Sequence, residues 1–199
     1  MNKEAPVMPW PEISRVIGEL REKKDYRILL MVAVASFTGL RCSDWQKCRW
    51  KHFITRDGRK AVVRDFVQIE EKKTSKSRRI YIGEDFKGIL LECFSGLRIE
   101  FLDTPLLPSC KDRESGITTG GANYIFKENS KRLGLPGDVT THTFRKSFGA
   151  YAYDKWGRTF DALLMVQKLF NHSSPNITMR YIGLERFAIQ DLYKNLSVL

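Results

Sequence analysis

Ile13, Val16, Ile17 and Leu20 recur at the three-then-four step that gathers side chains on one face of a helix. Pro11 stands where helices begin, and the pattern runs to about Arg21. From Tyr26 to Phe37 the pattern becomes an apolar run of 12 residues interrupted only by Arg27 and Ser36. A bilayer span takes about 20 residues, so this run predicts a helix buried in a core rather than a membrane segment. Asp25 is placed to cap its start, and Thr38-Gly39 to stop it. A shorter helix from Ser43 to about Arg49, with Trp45 and Cys48 inward, is predicted next.

Residues 53 to 82 then become rich in β-branched and aromatic residues, with Asp57-Gly58 as a turn signal. Ala61-Val62-Val63 and Phe66-Val67-Gln68-Ile69 read as extended. Ile80-Tyr81-Ile82 reads as the strand that pairs back after a basic loop, Lys72 to Arg79. Helical patterns return over about 84–95, 119–133, 141–156, 159–170, 174–181 and 185–195, punctuated by Gly134, Pro136-Gly137 and Gly157. The polar stretch from Pro105 to Gly121 reads as a loop. The prediction is one α+β domain over residues 1–199, mainly α with a small antiparallel β-sheet, ending in a helical tail over 182–199.

Composition supports a real core, with 42% apolar and 29% charged residues. Thirty-four Lys and Arg against 23 Asp and Glu give a net charge of +11, which attracts a polyanion. Nucleic acid is the commonest such partner in the cytosol. No charged-then-apolar leader opens the sequence, so the expected location is cytoplasmic, in a bacterial or phage-encoded setting near the nucleoid. Cys42, Cys48, Cys93 and Cys110 are widely spaced, which argues against a disulfide framework, and neither they nor the three His offer paired metal ligands. No cofactor or metal is expected.

Four separated segments carry candidate chemistry: Thr38-Gly39-Leu40-Arg41-Cys42-Ser43-Asp44; Lys72-Lys73-Thr74-Ser75-Lys76; Thr141-His142-Thr143-Phe144-Arg145-Lys146-Ser147-Phe148; and Asn171-His172 through Arg180-Tyr181. Singly, each has an ordinary structural reading. Arg41 would cap a helix C-terminus, His142 and Arg145 would share a helix face, His172 would be a loop residue, and Tyr181 a core aromatic. Their order changes the picture. The sequence resembles the tyrosine recombinase, or phage integrase, family, whose motifs run Arg, Lys, His-x-x-Arg, His and Tyr along the chain. Here the pattern falls on Arg41, Lys73, His142 with Arg145, His172 and Tyr181, and the resemblance covers about residues 10 to 195. Four positions depart from many relatives: Cys48 replaces Leu, Lys146 follows Arg145 where His is common, and Phe170-Asn171 replaces Leu-Gly.

The resemblance implies a catalytic domain of the DNA breaking-and-rejoining fold, acting in integration or excision of a mobile element. Tyr181 would attack a backbone phosphorus and form a 3′-phosphotyrosyl bond. Arg41 and Arg145 would fork onto the non-bridging oxygens as negative charge develops. His142 would accept the phenol proton, Lys73 would protonate the departing 5′ oxygen, and His172 would hydrogen-bond a phosphate oxygen. The covalent link keeps the energy of the diester, so rejoining needs neither ATP nor metal. Lys72, Lys73 and Lys76 all lie in the hairpin loop. Lys73 is the family's match and Lys76 the second choice.

Double-stranded DNA is the expected partner, with self-association, to a tetramer, on it. Relatives carry a helical clamp domain before this one, and the sequence is expected to lack it. Ile189, Leu192, Tyr193 and Leu196 form an apolar stripe on the tail, which either packs on its own domain or docks onto a neighbouring subunit. Two other readings remain open: a type IB topoisomerase-like enzyme using the same residues, and a non-catalytic DNA-binding regulator retaining the fold.

Overall fold

A computed structural model describes residues 5–70 and 77–184, together with Tyr193. The apolar run forms α2 (Tyr26–Thr38), in which Ile28 through Ala35 are buried on every side of the helix. Asp25 accepts a hydrogen bond from the Ile28 N–H at 3.4 Å, and Gly39 ends the helix in the left-handed conformation. Three helices surround α2: α1 (Trp10–Glu22), α5 (Glu84–Gly96) and α7 (Thr141–Lys155). The inner face of α1 is the predicted Ile13, Val16, Ile17 and Leu20.

The expected helix over 43–49 is shorter than its pattern suggested. Only α3 (Cys42–Trp45) forms, and a separate turn, α4 (Trp50–Phe53), follows. Tertiary pairing overrides the helix. Leu106 donates its N–H to the Cys48 carbonyl at 2.8 Å, while Trp50 and Lys51 donate to Thr104 and Leu102 at 3.1 and 2.7 Å. Trp45 and Cys48 still face inward.

The single small sheet is two separate antiparallel ladders. β1 (Ile54–Asp57), which the sequence reading left out, pairs with β2 (Lys60–Val63) across the predicted Asp57-Gly58 turn. β3 (Phe66–Glu70) pairs with β4 (Ser77–Tyr81) in the register Val67 opposite Ile80. Val67, Ile69 and Ile80 point into the core, whereas Phe66 and Tyr81 point outward, and the Arg79 guanidinium covers the Phe66 ring at 4.2 Å. The hairpin loop with Lys72, Lys73 and Lys76 lies outside the described residues, as does nearly all of the tail stripe.

α6 (Thr119–Ser130) ends three residues before the predicted stop, and α8 (Phe160–Phe170) and α9 (Pro175–Tyr181) complete the described elements. A second, smaller apolar cluster joins α7, α8 and the end of α9 through Ala152, Leu163, Val166, Phe170 and Ile182. Candidate residues from α7 and α9 meet over this cluster.

Candidate active site

Two helix ends converge. Gly39 closes α2 at φ 57°, and a Cβ there would lie 2.4 Å from Phe148, so only glycine fits. Asn171 closes α8 in the same left-handed conformation at φ 52°. Each ending leaves a carbonyl at the negative pole of a helix without an intrahelical partner. Arg145 fills both. Its Nη1 donates to the Gly39 carbonyl and its Nη2 to the Phe170 carbonyl at 3.4 Å, with the guanidinium stacked 4.3 Å from the Phe170 ring centroid. Arg41 Nη2 donates to the same Phe170 carbonyl at 3.1 Å. The buried Asp44 fixes the Arg41 backbone by accepting its N–H at 3.2 Å.

Thr140 caps α7, so His142 and Arg145 emerge three residues apart near the N-terminus of that helix. Ser174 and Pro175 start α9, whose last residue is Tyr181. The Tyr181 Oη lies 3.1 Å from His142 Nδ1. With the imidazole proton on Nε2, Nδ1 accepts from the phenol. His172 orients through Nδ1 to Thr178 Oγ1 at 3.1 Å, and its ring stands 5.1 Å from that of Tyr181 and 5.3 Å from that of Phe170.

The electrostatics separate the roles. Burial raises the Tyr181 phenol above its ordinary value, opposed by the charge and hydrogen bond of Arg145 and then the charge of Arg41. The resting residue is therefore a protonated phenol that needs a base. Partial desolvation lowers the His142 imidazole, and Arg145, Lys146 and Arg41 push it the same way, so it is neutral at pH 7 and fit to accept a proton. The Arg145 guanidinium, 2% exposed, is brought down to about 10 by burial and stays cationic at neutral pH.

The structure thus brings Arg41, His142, Arg145, His172 and Tyr181 to one place, while Lys73 falls outside the described residues. Sequence reasoning passed over two cations. Arg78 of β4 donates to the Thr38 carbonyl at 3.1 Å, and its charge reaches Arg145. Lys146, buried beside Arg145, stands 5.5 Å from the Tyr181 ring centroid. Position 78 reads as loop in the sequence, which hid its inward role in the strand. Lys146 had a visible signal in its place four residues after His142, on the same helix face.

Fold and site together define a helical domain arranged around a buried arginine and a histidine-bound tyrosine. The model of the Phage integrase family matches residues 7–186, and the chain belongs to that family. It is 35% identical over 131 residues to a probable integrase/recombinase, YoeC, of Bacillus subtilis, covering 66% of this chain and 67% of the relative. It is 27% identical over 122 residues to the tyrosine recombinase XerC of Leptospira interrogans, covering 61% of this chain but 38% of that protein. A crystal structure of the XerH site-specific recombinase, bound to its palindromic difH substrate after cleavage, shares the fold at TM-score 0.68 and 19% identity. That match covers 98% of this chain and 54% of XerH.

Proposed function

We propose that this chain cuts and rejoins double-stranded DNA in site-specific recombination, with Tyr181 as the nucleophile. The observation that carries the reading is the 3.1 Å contact from the Tyr181 phenol to a neutral His142, beside two guanidiniums on one carbonyl. His142 takes the phenol proton as the oxygen bonds to phosphorus. Arg41 and Arg145 face the negative charge that builds on the non-bridging oxygens, and His172 adds a hydrogen bond. The P–O bond to the 5′ carbon's oxygen breaks, and Lys73 protonates that oxygen. Attack by a 5′-hydroxyl of a second strand reverses every step, releasing Tyr181.

The +11 charge supports a DNA partner, and no helix among the described residues is long and apolar enough to cross a membrane. A cytoplasmic site of action follows from the DNA substrate. Self-association on DNA is supported by the outer side of α8, where Phe160 and Met165 are 66% and 51% exposed and where Leu164 and Met165 line a surface shared with His172.

Covalent capture tests the reading. A pool of randomised duplexes carrying a fixed nick is incubated with the chain, and denaturant-resistant adducts are isolated and sequenced. The wild type gives adducts on the peptide containing Tyr181, and Tyr181→Phe gives none. Adducts that persist in that variant would move the nucleophile elsewhere. Two other tyrosines on α7 are already engaged: Tyr151 stacks on Trp10 at 4.3 Å, and Tyr153 donates to the Arg158 carbonyl at 2.7 Å. No adducts with the wild type would refute the reading.

A further inference from the structure

His142, Arg145 and Lys146 occupy one face of α7, at the spacing that aligns side chains three and four residues apart. The first two meet Tyr181 at its hydroxyl end. Lys146 meets the ring itself, with Nζ 5.5 Å from the centroid. Burying a lysine to 4% exposure is costly unless its ammonium is held, and here it donates to the Ala5 carbonyl at 3.0 Å. That carbonyl belongs to a segment pinned along the same helix. The Met8 N–H donates to Ser147 Oγ at 2.7 Å, and Trp10 stacks on Tyr151 with ring centroids 4.3 Å apart. The chain entering α1 is therefore attached to α7 at successive points, beginning beside the tyrosine.

A cation over an aromatic ring is attracted by the ring's electron density, more strongly where water is excluded. A phenolate ring is richer in electrons than a phenol ring. An ammonium in this place thus favours the deprotonated form and restrains the ring, whose other neighbours, Phe170 and His172, present edge-on aromatic contacts. The same charge faces His142 and works with Arg145 and Arg41 to keep its imidazole neutral.

We propose that Lys146 is a positioning residue for the nucleophile, its ammonium held by the Ala5 carbonyl over the Tyr181 ring, where it steadies the ring and promotes the phenolate. The segment leading into α1 thereby takes part in setting the reactivity of Tyr181. The inference rests on Tyr181 being the reactive phenol. It assigns Lys146 no contact with DNA.

The test reads the phenol directly in the full chain without DNA. N-acetylimidazole acetylates tyrosine through its phenolate, and peptide mass spectrometry gives a rate for each tyrosine. Tyr81 and Tyr124, 72% and 63% exposed, serve as internal references. Relative to them, Lys146→Met slows acetylation of Tyr181 by roughly 3- to 30-fold. Lys146→Arg, which keeps a cation able to reach ring and carbonyl, restores it to within about threefold of wild type. Should the methionine variant unfold, Lys146→Gln, neutral but able to donate to Ala5, carries the same expectation. An unchanged or faster Tyr181 rate in the neutral variants, or no recovery with arginine, overturns the proposal. Failure of the wild type to capture DNA would end the recombinase reading while leaving the acetylation result to decide on Lys146.

Discussion

Gly149 lies inside α7, where alanine is favoured by about 1 kcal/mol on helix propensity alone. Packing opposes that gain. A Cβ built on Gly149 would lie 2.4 and 2.7 Å from the Phe170 ring and 2.9 Å from Ile182 Cγ2, against roughly 3.5–4.0 Å for carbons in contact. The ring has nowhere to go. Phe170 is fully buried, covered by the Arg145 guanidinium at 4.3 Å and bounded by the rings of Tyr181 and His172 at 5.4 and 5.3 Å. Overpacking of this kind costs about 1–3 kcal/mol, so Gly149→Ala should destabilise by about 0–2 kcal/mol after the helical gain is subtracted. Adduct formation should fall further than stability, because the Phe170 carbonyl that moves with the ring holds both guanidiniums. Urea unfolding gives the stability, and an unchanged m value shows that the transition itself is the same. Phe170→Leu makes room, so adding Gly149→Ala to that background should cost nothing or stabilise, with a coupling above about 0.5 kcal/mol. A raised urea midpoint for the single alanine variant, or the same cost in both backgrounds, would refute the argument.

A duplex with sulfur in place of the 5′-bridging oxygen releases a thiolate that needs no proton, so Lys73→Ala should lose about 100- to 10,000-fold in adduct formation on ordinary DNA and recover on the sulfur duplex. Lys76→Ala should lose little on either, and sulfur rescue of that variant instead would transfer the role to it. His142, lowered by desolvation and by Arg145, Lys146 and Arg41, should titrate below 6.5 in an NMR titration, and adduct formation should hold at pH 6.5 and fall only beneath it. The unfolded chain takes that proton first, so the residue's contribution to stability is complete above about pH 6.5 and is lost as pH falls through the folded value. A folded value above 6.5 would contradict both statements. Asp25→Ala removes the α2 cap and should cost about 0.5–2 kcal/mol in urea unfolding. The exposed 2.7 Å ion pair of Asp25 with Arg132 adds little.

What the sequence disclosed follows from what repeats locally. The α1 stripe, the buried run of α2, the Asp25 cap and the Asp57-Gly58 turn are short-range signals, and the structure places each as expected. Errors fell where a distant strand of chain decides. Cys48, Trp50 and Lys51 are paired with residues 102–106, and nothing near position 48 announces that pairing. β1 was overlooked because Thr55, Arg56 and Asp57 are partly or fully exposed and supply no apolar alternation. All six candidate site residues were proposed from motif order rather than periodicity; five of them lie together, and the sixth, Lys73, lies outside the described residues.

The Gly39 and Phe170 carbonyls that the two guanidiniums reach are backbone atoms, which is why motif order points to the arginines without showing these contacts. Gly39 and Phe170 contribute carbonyls only because α2 and α8 both stop in the left-handed conformation above this point. Two guanidiniums drawn to one carbonyl repel each other, and in an apolar pocket that repulsion is weakly screened. The negative poles of the two helices offset it before any substrate arrives. In the proposed reaction a phosphate brought between them would supply a full counter-charge in place of two partial ones, and the transition state would add further negative charge. Under the proposed reaction both cations would be oriented in advance and their attraction would grow as it proceeds, which is the condition for an interaction to accelerate a step rather than merely bind its substrate.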